Sequence, residues 1–166
     1  SHDENVQAIF HSSDNWDVVK NTTEVMVFGN LLDELIDKKI IDQYDRVFKM
    51  SGRYFLTDNF DVNFYETVPD NIVLLQRKHS QFPPQVTGNR VYQYMSRLWS
   101  WPSTLTDDII QVYEDGFVYI AERISEGGYC DIEHMLYKFL PHEHILEVAR
   151  TGVSGNIGPN GMRIDD

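Results

Sequence analysis

Short apolar runs alternate along this chain with long segments whose apolar residues recur every three or four positions, which restricts the folds it can form. The first long segment follows Asn21-Thr-Thr-Glu24, whose polar residues can cap a helix. The second begins at Thr106 or Asp107. Such spacing predicts helices with one buried face. Five apolar runs suit buried strands: residues 6–10, 45–50, 71–76, 91–98 and 145–149.

Strands that alternate with helices predict an α/β fold, here with a mixed, mostly parallel sheet flanked by helices. We expect one domain over residues 1–166, with a further short helix at 131–140. Residues 151–166 carry a glycine at every third position over part of their length and are expected to form a turn-rich C-terminal tail. Ligands of open α/β sheets lie beyond the carboxyl ends of strands. The first candidate loops are therefore 11–17, 51–61 and 150–161.

The charge of the chain excludes one large class of partners. Fourteen Lys and Arg residues against 26 Asp and Glu residues give a net charge of −12. Most of this surface would repel a phosphate backbone, so we expect no nucleic-acid partner. A small anionic ligand stays possible, because a local cationic pocket can outweigh a distant negative field. The oligomeric state is left open.

The location of the protein is predicted from its cysteine and its apolar runs. Cys130 is the only cysteine, which excludes an internal disulfide and favours a reducing, cytoplasmic compartment. No apolar run reaches the roughly 18–20 residues that a membrane helix needs. The polar, acidic start at residues 1–5 does not resemble a secretion signal.

The segment Lys49-Met-Ser-Gly-Arg-Tyr54 places two cations around a glycine at the end of a predicted strand. Glycine allows close backbone approach or an unusual φ. The planar guanidinium of Arg53 can hold a phosphate or carboxylate, and Lys49 adds a point charge. In so acidic a chain this pattern predicts an anion cradle. The alternative is that both cations pair with neighbouring carboxylates.

Residues 44–56, YDRVFKMSGRYFL, resemble the FK-hydrophobic-(S/T)-GRY signature of a group of viral and bacterial sugar transferases with a GT-A-like fold. Asn21-Thr-Thr-Glu24 resembles the NKG-x-x-E element of that group. Ser125-Glu-Gly-Gly128, followed by Asp131-Ile-Glu133, resembles its glycine turn and (S/D)-I-E helix start. Val153-Ser-Gly-Asn-Ile157 resembles its G-x-S-G-x-I tail. The four elements keep the order that they have in the group.

The resemblance implies a glycosyltransferase that moves a hexose from a nucleoside diphosphate sugar to a glycan or other hydroxyl acceptor. Glu133, with Asp131 beside it, would be the catalytic carboxylate that takes the proton of the acceptor or positions the sugar. The alternative is that both acids only favour a helix N-terminus. The implied donor and phosphate site consists of Lys49, Ser51, Gly52, Arg53, Tyr54, Ser154 and Asn156.

The chain also departs from the group. GT-A domains begin with a strand–helix–strand unit that binds the nucleotide. Only residues 6–10 and the loop after them could belong to such a unit here, so we expect it to be missing from this sequence or reduced. Asn21-Thr-Thr lacks the lysine and glycine of the group's element. No Asp-x-Asp is present to hold Mn²⁺ or Mg²⁺. Asp58 and Asp61 are the nearest substitutes, with a turn as the alternative.

Four further hypotheses stay open. A non-catalytic carbohydrate-binding or assembly module would keep the fold without the chemistry. A metal-dependent hydrolase could use His142 and His144, although solvated loop histidines are the more ordinary interpretation. Arg97 could contact donor or acceptor. The aromatic segment from Tyr92 to Trp101 could stack on sugars or fill the core.

Overall fold

The computed structural model describes residues 16–157 and 161–166. Its α-helices are α1 (Trp16–Asp37), α2 (Val62–Glu66), α3 (Thr106–Ser125) and α4 (Ile132–Phe139). The two helices predicted after residue 105 are confirmed. The strand predicted over 6–10 lies outside the described residues. No described helix has both the length and the apolar character that crossing a bilayer requires.

Helix α1 includes residues that the sequence assigned to a loop. Residues 16–20 are already helical, so Asn21 and the two threonines after it lie inside the helix and do not cap it. Asn21 and Thr22 are buried, in line with Val19 and Val25. The buried face of the helix therefore begins at Val19, before the first apolar residue of the predicted helix, and the polar residues Asn21 and Thr22 are part of it.

Nine strands lie in the described ranges. They are β1 (Arg46–Met50), β2 (Tyr54–Leu56), β3 (Ile72–Leu75), β4 (Lys78–His79), β5 (Tyr92–Gln93), β6 (Leu98–Pro102), β7 (Ile145–Val148), β8 (Val153–Asn156) and β9 (Arg163–Asp165). The central sheet has the order β1-β6-β3-β7. The strands predicted near 45–50, 71–76 and 145–149 are β1, β3 and β7.

The expectation of a mostly parallel sheet was wrong. In the central sheet only β3 and β7 run parallel, with Val73 opposite Leu146. Strand β6 lies between β1 and β3 and is antiparallel to both, with Ser100 opposite Phe48 and Val73. The segment predicted as one strand over 91–98 instead supplies β5 and the first residue of β6, which belong to different sheets. The fold is mixed α/β, with a mixed sheet flanked by helices.

The C-terminal segment is more regular than a turn-rich tail. Strand β8 pairs antiparallel with β2 and with β9, which makes a three-stranded sheet. Gly152 precedes it with φ +76°, and a Cβ at that position would lie 2.5 Å from the backbone of Phe60. Glycine is needed there for both reasons. The spaced glycines allow close backbone approach as well as turns.

The main core lies where the central sheet packs against α1, α3 and α4. Trp99 and Trp101 of β6 are its largest side chains, with ring centroids 4.6 Å apart. Both are buried, which rules out a sugar-stacking surface built on them. Burying a large apolar side chain contributes about 1.5–3 kcal/mol. The aromatic residues of β6 therefore stabilise the sheet that carries the candidate site.

Candidate functional site

Lys49 points into the protein, between the sheet and α1. Its side chain is only 8% exposed, and Nζ lies 3.2 Å from Oε1 of Glu24 on α1. Nζ also donates to the Ser51 hydroxyl and to the Ser96 carbonyl oxygen, each at 3.4 Å. The alternation of side chains along β1 sends the neighbouring Phe48 to the opposite face. The ammonium group therefore has three acceptors around it.

Ser96 connects this lysine to helix α4. Its hydroxyl donates a 2.6 Å hydrogen bond to Oε1 of Glu133. Its carbonyl oxygen accepts from Lys49 and, at 3.3 Å, from the Ser51 hydroxyl. Glu24, Lys49, Ser51, Ser96 and Glu133 form what we call the Lys49 cluster. No sequence signal indicated Ser96, because it lies inside a segment predicted as a strand.

The electrostatics of the cluster affect Glu133 most. Burial raises the pKa of the Glu133 carboxyl, and the negative charges of Asp131 and Glu24 raise it further, against the hydrogen bond from Ser96. Burial, together with the negative charges of Glu24 and Glu133, also raises the pKa of the Tyr113 hydroxyl well above its ordinary value. Its hydroxyl has no hydrogen-bond partner in the part of the chain described. The periodicity of α3 indicated Tyr113 only as a core residue.

Arg53 does not join Lys49. It is exposed in the turn between β1 and β2, and its guanidinium has no ion-pair or hydrogen-bond partner among residues 16–157 and 161–166. The backbone does not require glycine at position 52, since a Cβ there would meet nothing within 4 Å and the φ angle of Gly52 is not positive. The two cations that bracket Gly52 thus face different environments, one enclosed and one open to solvent.

The C-terminal motif, residues 153–157, lies beside the end of the segment 49–54. In the β2–β8 pairing Tyr54 is opposite Gly155, and Phe55 is opposite Ser154. A Cβ at Gly155 would be 2.4 Å from the carbonyl oxygen of Arg53, so the close approach requires glycine. Tyr54 and Ser154 are buried, whereas Asn156 is exposed. Of the predicted donor residues on these strands, only Asn156 is freely accessible.

Asp58 and Asp61 do not assemble a metal site. Oδ1 of Asp61 accepts a 3.0 Å hydrogen bond from the backbone of Asn63 and caps α2. Asp58 is exposed. In the described ranges no three His, Cys, Asp or Glu side chains are grouped so that they could hold a metal ion. Asp58 and Asp61 therefore do not fit the Mn²⁺ or Mg²⁺ ion that the resemblance implies.

The other sequence candidates have ordinary partners. His142 and His144 lie on a short 3-10 helix, and His142 Nε2 contacts the Tyr137 carbonyl oxygen at 3.0 Å. Arg97 is ion-paired with Asp166. Cys130 is buried, and burial raises the pKa of its thiol to about 12. None of these residues contributes to the Lys49 cluster.

No protein-family model matches the chain, and no curated protein matches it significantly.

Proposed function

We propose that the chain is a glycosyltransferase that moves a hexose from a nucleoside diphosphate sugar to a hydroxyl group of a glycan or other acceptor. The observation that carries the proposal is the Lys49 cluster. Glu24, Lys49 and Glu133 each come from a separate motif of the resemblance. Lys49 pairs with Glu24, and Ser96 links Lys49 to Glu133. If each motif served only its own helix or strand, the fold would not have to place these three side chains in one connected cluster.

Glu133 has the properties of a general base in this proposal. As the acceptor oxygen attacks the anomeric carbon, its proton passes to the Glu133 carboxylate, and the bond from that carbon to the diphosphate oxygen breaks. A raised pKa makes the carboxylate a better proton acceptor near neutral pH. Ser96 orients the carboxylate through its 2.6 Å hydrogen bond.

The two cations take different roles. The contacts of Lys49 with Glu24, Ser51 and Ser96 use its three donors, so it organises the cluster and supplies a positive field. Arg53 is exposed, and its guanidinium is free of partners within the described chain. It can therefore bind the diphosphate and neutralise the charge that develops on the leaving oxygen.

Isothermal titration calorimetry with UDP- and GDP-hexoses, with and without Mn²⁺, tests donor binding, and a turnover assay follows. Arg53→Ala should abolish donor binding and leave the circular dichroism spectrum unchanged. Arg77→Ala, another exposed arginine, is the matched control and should bind normally. Glu133→Gln should bind donor without turnover. Unchanged donor affinity in Arg53→Ala would contradict the phosphate assignment.

A carbohydrate-binding module is the second candidate, and one observation favours it. A groove of about 520 Å³ on the opposite face of β1 is lined by Tyr44, Phe48 and Tyr65, with Arg46 and Glu66 beside them. Tyr44 is 62% exposed and Phe48 is 38% exposed. Aromatic faces of this kind suit pyranose rings. Glycan binding that Tyr44→Ala weakens, with no turnover of any donor, would favour this function over transfer.

A further inference from the structure

Ser80, His134 and Asp131 form a continuous hydrogen-bonded array outside the Lys49 cluster. The His134 ring is fully buried at the start of α4. Its Nδ1 lies 2.5 Å from Oδ1 of Asp131, and its Nε2 lies 2.8 Å from the hydroxyl oxygen of Ser80. Ser80 directly follows β4 and is partly exposed. The array joins two segments 54 residues apart.

The chemistry of the three groups determines where the protons lie. An ionised carboxylate only accepts hydrogen bonds, so Nδ1 of His134 carries a hydrogen and donates a hydrogen bond to Oδ1 of Asp131. In the neutral ring Nε2 is then the acceptor, and it faces the Ser80 hydroxyl. The hydroxyl has a more distant alternative acceptor, the Phe82 carbonyl oxygen at 3.3 Å. The shorter contact favours donation to His134.

We propose that Ser80, His134 and Asp131 form a second catalytic centre that hydrolyses carboxylic esters. Ser80 Oγ attacks the ester carbonyl carbon while its proton passes to Nε2 of His134. The carbon–oxygen bond to the alcohol then breaks, and the alkoxide takes that proton. Water then loses a proton to the same nitrogen and attacks the carbonyl carbon of the acyl-serine; the bond from that carbon to Ser80 Oγ breaks, and Oγ takes the proton from Nε2 as the carboxylic acid leaves.

The surroundings of Ser80 supply two further requirements. The backbone N–H of Gln81, the next residue, donates no hydrogen bond within the described chain and is free to bind a developing oxyanion. The Phe82 ring is 40% exposed, lies edge-on to His134 with centroids 6.1 Å apart, and packs on Tyr129. It gives the acyl group an apolar surface beside the nucleophile. The Phe82 N–H holds Ser80 Oγ in place at 3.0 Å.

Asp131 also has a structural role that the test must separate. Its Oδ1 accepts a 2.9 Å hydrogen bond from the His134 backbone and caps α4. Asparagine caps a helix about as well as aspartate. It carries no charge to stabilise the imidazolium and does not enforce the same ring tautomer. Asp131→Asn therefore keeps the cap and removes the function that the proposal assigns.

A fluorophosphonate probe, followed by peptide mass spectrometry, tests the nucleophile in the wild-type chain. We expect a covalent adduct on Ser80, and hydrolysis of p-nitrophenyl acetate that Ser80→Ala abolishes. Asp131→Asn should slow labelling by about 10²-fold or more, with an unchanged circular dichroism spectrum. Ser125→Ala, whose hydroxyl contacts only a backbone carbonyl, should label normally. No adduct on Ser80, equal ester hydrolysis by Ser80→Ala, or undiminished labelling of folded Asp131→Asn would each overturn the proposal.

Discussion

Substitution of Glu24 should destabilise the protein more than substitution of its partner Lys49. The side chain of Lys49 is 8% exposed and that of Glu24 is 36% exposed. Glu24→Gln leaves a nearly dry ammonium group without a charged partner: beside the new amide oxygen it has two neutral acceptors at 3.4 Å, which is long for a hydrogen bond. Lys49→Met leaves a carboxylate that water can reach and fills a similar volume.

The magnitude follows from this asymmetry. Removing one partner of a fully buried ion pair costs about 3–5 kcal/mol. The substituted amide oxygen in Glu24→Gln still accepts a hydrogen bond, which reduces the expected cost to about 2–3 kcal/mol. In Lys49→Met the remaining carboxylate is partly hydrated, so the expected cost is about 1 kcal/mol.

Urea denaturation measures the difference, with tryptophan fluorescence as the signal because Trp99 and Trp101 are buried. Glu34→Gln on the same helix is the control, since its pair with Lys38 is 59% exposed on both sides and should contribute nothing measurable. An equal loss of unfolding free energy in Lys49→Met and Glu24→Gln, or no difference between either variant and the control, would refute the expected asymmetry.

Two further predictions concern the strand contact and the base. Gly155→Ala should lower the free energy of unfolding by about 1–3 kcal/mol, because the new Cβ would lie 2.4 Å from the Arg53 carbonyl oxygen. Gly52→Ala is the control and should leave stability unchanged, since its Cβ would meet nothing within 4 Å. Equal melting temperatures of the two variants would contradict this prediction. Folding raises the pKa of the Glu133 carboxyl, so between its ordinary pKa and the raised one the folded state binds more protons than the unfolded state. The free energy of unfolding therefore falls as the pH rises through that range. Glu133→Gln should lose that decline in melts between acid and neutral pH, and a decline of unchanged size would show that another group causes it.

Local patterns in the sequence were sufficient to predict most of the helices and several of the strands. The three- and four-residue spacing after residue 105 predicted α3, and the amphipathic segment before Pro141 predicted α4. The apolar runs that became β1, β3 and β7 were equally clear. These elements could be predicted because their periodicity depends on neighbours within a few positions.

The direction and partners of the strands could not be predicted in this way. A run such as Ile72–Leu75 is buried on both faces whichever way its neighbours run, so its composition does not distinguish a parallel from an antiparallel sheet. Strand β8 in the glycine-rich tail was missed for a related reason, because only its pairing with β2 makes it regular.

The sequence alone determined which reactive residue types are present and, through the order of the motifs, indicated Lys49 and Glu133 as candidate site residues. Only the tertiary structure decided that Lys49 is enclosed while Arg53 is open, that Ser96 joins two motifs, and that Ser80 meets His134. The physical reason is the range of the interactions. A helix or strand is encoded within a few residues, whereas a site depends on contacts between segments that pairing and core packing bring together.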